Sequence, residues 1–247
     1  MKRAFLIYLL FNLCFAFAET TKLPDGTVYE GPIVDGLFNG HGIQMLNGSL
    51  HYEGDFKDGL YNGKGMLVTA GYVYEGDFKN GIIDGYGKML YSNSAAYEGD
   101  FKNGSYEGKG TLLDANGDLY KGEFNNNVRN GKGVQTYANG SRYEGTFVND
   151  IIEGYGVYES SNGSKYEGEF HNGNFYGEGV LTFANGTVNK GKFKDGAFVN
   201  EKRLRFARIV TDAYFIILLS SIILNIVLIV KFLKKKIEKK EKAKVES

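Results

Sequence analysis

Tyr52-Glu53-Gly54-Asp55-Phe56, followed by Asp58-Gly59 and then Gly63-Lys64-Gly65, decides how this chain is read. The five-residue run returns nearly unchanged as Tyr74 to Phe78, Tyr97 to Phe101, Tyr120 to Phe124, Tyr143 to Phe147 and Tyr166 to Phe170. Lead residues stand at 29, 52, 74, 97, 120, 143, 166 and 189, a step of 23 residues broken by one of 22. So regular a period marks a repeat array. Tyr52, Gly54 and Phe56 fall on one side of an extended strand and Glu53, Asp55 and Lys57 on the other, the alternation of a half-buried strand. Asp58-Gly59, Asn80-Gly81 and Asn103-Gly104 supply residues that tolerate positive φ, and Gly63-Lys64-Gly65 leads into a returning strand, so each copy reads as a β-hairpin.

A second turn signal closes each copy at Asn47-Gly48, Asn116-Gly117, Asn139-Gly140, Asn162-Gly163 and Asn185-Gly186, which lets consecutive hairpins continue as one sheet. One hairpin alone is marginal in water. Stability therefore comes from stacking, expected here as aromatics of one unit lying on glycines of the next. The expected fold is an all-β repeat array: stacked β-hairpins in one elongated twisted antiparallel sheet, about 70 Å long at two strands per unit. A C-terminal transmembrane α-helix completes it.

These residues resemble the MORN (membrane occupation and recognition nexus) repeat, whose pattern is Tyr-Glu-Gly-x-Phe/Trp, then Gly, then Gly-x-Gly at a 23-residue step. The resemblance spans 29–200, with Pro32-Ile33 in place of the Asp-Phe pair in the first copy and Asn189 leading a truncated last one. Inside the array, Asn127 and Asp150 stand where a turn Gly is usual, and Ser94-Ala95 suggests a looser loop.

The ends read differently. Lys2-Arg3, an apolar run from Ala4 to Phe17 and Ala16-Phe17-Ala18 form the layout of a secretory signal peptide over 1–18, followed by a lead-in over 19–28. Residues 201–212 are a basic juxtamembrane segment, and 213–230 are eighteen residues without a charge, long enough with their apolar flanks to span a bilayer. Residues 231–247 hold eight lysines against three glutamates. Leader and lysine-rich tail agree on a single-pass type I protein with lumenal or extracellular repeats and a cytosolic tail, in the endoplasmic reticulum or at the cell surface.

The formal net charge of zero conceals an asymmetry: residues 19–200 carry 15 Lys and Arg against 24 Asp and Glu, a net −9. An acidic array repels polyanions, which argues against nucleic acid and against direct binding of acidic lipid by the repeats. The single cysteine, Cys14, lies in the leader, so the mature chain has no disulfide.

No catalytic, cofactor-binding or metal-binding constellation emerges. The Gly-x-Gly runs lack the third glycine and following helix of a dinucleotide site. His41, His51 and His171 are not at metal-ligand spacing and read as solvated, and the recurring carboxylates (Glu53, Asp55, Glu75, Asp77, Glu98, Asp100, Glu167, Glu169) read as a solvated surface ladder. Five asparagines, Asn47, Asn103, Asn139, Asn162 and Asn185, open N-glycosylation sequences that also suit tight turns. The candidate recognition surface is the aromatic stripe of Tyr52, Phe56, Tyr74, Phe78, Tyr97, Phe101, Tyr120, Phe124, Tyr143, Phe147, Tyr166 and Phe170. Self-packing would absorb such residues, but a single-layer sheet cannot cover its whole apolar face, so part of the stripe is expected to stay open as a groove.

The expectation is thus a non-enzymatic scaffold that binds a peptide or helix along its aromatic face. An alternative is a membrane tether with cytosolic repeats, resembling junctophilins, although the chain has a leader and lacks a long helical spacer. Enzymatic relatives, in which MORN repeats precede a phosphoinositide kinase or SET domain, need a catalytic domain for which 201–247 leave no room.

Overall fold

The alternation and the turns are realised as hairpins. The copy led by Tyr52 has strands Ser49–Lys57 and Leu60–Val68, and the next copies repeat this as Tyr72–Lys79 with Ile82–Tyr91 and Ala96–Lys102 with Ser105–Leu113. Leu119–Asn125 with Val128–Thr136, Arg142–Val148 with Ile151–Glu159, and Lys165–His171 with Asn174–Thr182 complete the series, and Val188–Lys194 with the two-residue Ala197–Phe198 follow. Every strand pairs antiparallel with its neighbours in sequence within one sheet of 17 strands. The computed structural model of the chain describes residues 19–200, 205–206 and 208–219.

Each first turn puts two residues in the left-handed region, Asp58 at φ 52° and Gly59 at φ 80° being typical, as a two-residue hairpin turn requires. Asn47-Gly48 is a two-residue turn of the same kind, whereas four later second turns are longer, with Asp114, Tyr137, Ser160 and Phe183 each receiving the N–H of a glycine at the left-handed position. The 22-residue step is absorbed in another second turn, where Thr69 N–H bonds directly to Tyr72 O. Ser94 does not loosen its turn: at φ 71° it takes the glycine's place, and Ser94 N–H still reaches Tyr91 O at 3.0 Å.

The two glycines of Gly63-Lys64-Gly65 have different jobs. Two extra residues bulge from the returning strand between Tyr61 and Gly65, and Gly63 takes φ 107° there, while the Asp55 carboxylate closes over it and accepts Lys64 N–H at 3.3 Å. Gly65 lies opposite Gly54, and the Tyr52 ring rests on both; a Cβ on Gly65 would meet Tyr52 atoms at 2.3 to 2.6 Å. The expectation that tyrosines rest on glycines of the next unit is corrected here. Both glycines belong to the tyrosine's own hairpin.

The next unit supplies an edge instead. Phe78 meets the Tyr52 ring at 5.3 Å in a T-shaped contact, and the same contact recurs from Tyr74 to Phe101 and onward to Phe193. Backbone bonds cross the same boundary, from Gly81 N–H to Tyr61 O and from Gly104 N–H to Ile83 O. At the N-terminal end Pro32, which has no N–H, ends the strand Val28–Gly31, and Ile33–Val34 pairs with Leu37–Phe38 as a separate small hairpin. The lead-in adds a strand the alternation did not announce, Glu19–Lys22 against Val28–Gly31.

The chain divides into two compact units at residue 197. In the second, residues 205–206 and 208–219 are helical and their apolar side chains are exposed, Tyr214 at 71% and Ile216 at 66%. Among the described residues no helix is long and apolar enough to cross a membrane. The expected leader, the tail and residues 220–230 of the expected membrane helix lie outside the described residues.

Two glycine substitutions separate packing from propensity. Gly65→Ala is expected to destabilise the array by about 2–4 kcal/mol, because the Tyr52 ring must leave its seat. Gly71→Ala, which meets nothing within 4 Å, should stay within about 0.5 kcal/mol in the same denaturant titration.

Candidate functional site

All twelve residues of the aromatic stripe are buried, the tyrosines at 0 to 2% exposure and the phenylalanines at 1 to 4%. The open groove expected along them is therefore corrected, and the cause is a second row of side chains. Nine residues after each lead tyrosine, the returning strand brings a residue opposite the phenylalanine and over the tyrosine. Phe38 stacks on Tyr29 at 3.8 Å, Tyr61 on Tyr52 at 3.7 Å, Tyr106 on Tyr97 at 3.6 Å and Phe175 on Tyr166 at 3.8 Å. Ile83, Arg129 and Ile152 hold the same register opposite Phe78, Phe124 and Phe147. The stripe is the core, and what covers it faces outward.

Each buried tyrosine donates its hydroxyl to the carbonyl three residues on, Tyr52 to Asp55 O at 3.0 Å and Tyr97 to Asp100 O at 2.9 Å. Burial pushes these phenols up, Tyr120 and Tyr143 to about 12. Arg129 replaces the covering ring in the middle of the array. Its guanidinium lies 5.1 Å from the Phe147 centroid and 5.7 Å from Tyr120, and it donates to Gln135 Oε1 at 2.9 Å and to Asp150 Oδ1 at 2.9 Å. Asp150, at φ 68°, does more than tolerate a turn where glycine is usual, because its carboxylate also accepts Arg129 N–H at 2.9 Å. Asn127 does the same for Tyr106 N–H at 2.7 Å.

The outward surface of this face is a half-exposed apolar strip. Tyr61, Ile152 and Phe175 line one side, and Leu67, Leu112, Tyr158 and Leu181, from the far half of each returning strand, line the other. Tyr158 approaches Phe175 at 6.2 Å across it. Two clefts deepen the strip: one of about 350 Å³ among Tyr137, Ile152, Tyr158, Phe170 and Phe175, and one of about 240 Å³ among Phe38, Gln44, Phe56 and Tyr61. Sequence reasoning stopped at the Tyr-x-Gly-x-Phe core and missed this row. Its signal is in the same period, a bulky residue nine positions after every lead: Phe38, Tyr61, Ile83, Tyr106, Arg129, Ile152, Phe175.

The opposite face holds the carboxylates, and part of the ladder is structural. Asp55, Asp77, Asp100 and Glu123 each accept the N–H of a bulge residue, at 3.0 to 3.4 Å. His171 pairs with Glu153 at 2.8 Å and His41 with Asp55 at 3.3 Å, both on the surface. The His171 ring and Asn172 N–H hold the Glu153 carboxyl below its ordinary range. Among the described residues no three His, Cys, Asp or Glu stand close enough to hold a metal ion. Asn103 occupies a first turn, whereas Asn47, Asn139, Asn162 and Asn185 occupy second turns at the other edge, and all five are exposed.

The family profile described as "MORN repeat" matches residues 52–70, 74–95, 97–119, 120–142, 143–165 and 166–188. The chain belongs to the MORN-repeat family. The MORN packing extends one unit further at the N-terminal end, since Tyr29 is buried and stacked like the leads that match. No curated protein matches the chain. Solved structures with some likeness include the TCP10 domain of Danio rerio CPAP, at 13% identity over 72% of this chain and 98% of that one, with a TM-score of 0.26. The same domain in complex with a peptide of Danio rerio STIL shows 13% identity over 71% and 99%, with a TM-score of 0.22. At those TM-scores the likeness assigns nothing to this chain.

Two measurements check the MORN core. Phenols raised by burial favour the protonated, folded form: their contribution is fully present below the ordinary tyrosine value near 10 and is lost as pH rises through the folded values. Alkaline titration should therefore show the buried tyrosines ionising in one step with loss of the far-ultraviolet β-sheet signal, rather than gradually. Asp150→Gly, although it installs the usual turn residue, should destabilise the array by about 1 kcal/mol in thermal or denaturant unfolding, because the Arg129 side chain and backbone N–H lose their carboxylate acceptor.

Proposed function

We propose that the chain is a non-enzymatic scaffold whose MORN sheet binds a protein partner, as a peptide or helix, along the half-exposed face. A single C-terminal helix holds it in a membrane, with the repeats lumenal or extracellular and the basic tail cytosolic. The observation that carries the binding reading is the strip itself. Rigid aromatic and aliphatic side chains, locked from below by the buried tyrosines, present a long apolar surface at low entropic cost to a partner. Among the described residues Arg129 is the cation on that face, and it is already paired, so the partner's contact surface is apolar rather than acidic.

The membrane reading is supported by the leader layout, by the uncharged stretch 213–230, and by the exposed apolar side chains of residues 208–219, which water does not satisfy. The net charge of −9 over 19–200 speaks against nucleic acid or acidic lipid as the ligand of the repeats.

Photo-crosslinkers at positions 158 and 175 should trap a partner that crosslinkers at 75 and 121, on the opposite face, do not. Tyr158→Lys or Leu181→Lys should weaken capture of that partner at least tenfold, a loss of about 1.4 kcal/mol, with little change in melting temperature. Adducts arising only from 75 and 121 would refute this face as the binding surface. For topology, protease added to intact microsomes should spare the repeats and remove a C-terminal tag; the reverse pattern would make the chain a tether with cytosolic repeats.

A further inference from the structure

The scaffold reading leaves the acceptor asparagines unused, and the fold sorts them. Asn139, Asn162 and Asn185 stand in equivalent second turns of three consecutive units, exposed, on one edge of the sheet. Each Oδ1 accepts the N–H two residues on, from Ser141 at 2.8 Å, Ser164 at 2.8 Å and Thr187 at 2.9 Å. That bond fixes the roles of the two amide atoms. Oδ1 holds the turn, and Nδ2 is left for solvent.

The hydroxyls of two of these sequences are engaged elsewhere. Ser141 Oγ accepts Ser161 N–H at 3.1 Å and is 2% exposed, and Ser164 Oγ accepts Ala184 N–H at 3.2 Å. Both donors belong to the following unit. A transferase that reads the hydroxyl must therefore act on Asn139 and Asn162 before that unit docks, on the growing chain.

We propose that Asn139, Asn162 and Asn185 carry N-linked oligosaccharides, one per unit and about 10 Å apart, as a row along the second-turn edge. This rests on the lumenal placement above. The transfer joins the anomeric carbon of a lipid-linked oligosaccharide to Nδ2 and breaks that carbon's bond to the lipid pyrophosphate, which leaves as Nδ2 gives up one proton. Oδ1 is not consumed, so the turn keeps its bond and the fold accepts the modification unchanged. Asn139 also stands at the rim of the larger cleft, so its glycan bounds that end and directs a partner toward the first-turn edge.

The test uses the full chain expressed in eukaryotic cells, with release by a peptide N-glycosidase in ¹⁸O water, which converts each glycosylated Asn to ¹⁸O-labelled Asp, and peptide mass spectrometry to read each site. All three asparagines should be occupied. Asn139→Asp, Asn162→Asp and Asn185→Asp keep an Oδ acceptor for the turn but remove Nδ2, so each should lose one step of glycosidase-sensitive mobility with the melting temperature of the deglycosylated protein unchanged. Asp118, whose Oδ1 receives Ala138 N–H at 2.8 Å, holds the place of those hydroxyls one unit earlier. Asp118→Ser completes an acceptor sequence at Asn116 and should add one step. Unmodified asparagines on repeats that microsomal protease cannot reach would overturn the row while leaving the topology standing; repeats open to that protease would overturn both.

Discussion

A tyrosine ring laid flat on two facing glycines is the contact on which the rest of this structure depends. The ring can reach its seat only because neither glycine carries a Cβ, and once there its hydroxyl finds the carbonyl three residues on. That geometry removes the largest side chain of each unit from water and satisfies its one polar atom. It also explains why glycine, tyrosine and phenylalanine recur together. The glycines provide the seat, the tyrosine fills it, and the next unit's phenylalanine closes its side.

Because that phenylalanine comes from the following hairpin, no unit is complete alone, and stability passes from neighbour to neighbour as in other solenoid arrays. The ends then need separate solutions. Pro32 stops the first full strand, and the lead-in Glu19–Lys22 covers its edge. At the far end the strand Val188–Lys194 is followed by a two-residue strand, Ala197–Phe198, beside it in the sheet. Between the ends, side chains at turns knit units together, Asn127 and Asp150 on one edge and Ser141 and Ser164 on the other.

The two faces have diverged in what they offer. One carries carboxylates that are partly committed to capping bulges and partly solvated, a surface that keeps the array acidic and soluble. The other carries a second layer of rings and aliphatic chains above the buried tyrosines, with a single paired arginine in the middle. Half-exposed apolar surface therefore belongs to that second face, and the buried rings beneath it hold it rigid.

The period, the hairpins, the left-handed turn positions and the MORN membership were all legible in the sequence, since each follows from local alternation and from residues that tolerate positive φ. The role of the twelve stripe residues was not. Alternation shows that Tyr52 and Phe56 share a face but not whether anything lies over them; the returning strand sets Tyr61 opposite Phe56 and its ring onto Tyr52, while the bulge beyond Tyr61 brings Gly65 opposite Gly54. The same holds for Asp150, which local reading sees as a tolerated turn residue and the fold uses as the acceptor for Arg129. Local chemistry thus determined the repeat and its elements. Which aromatic row became core and which became surface was decided by register between strands, a tertiary quantity.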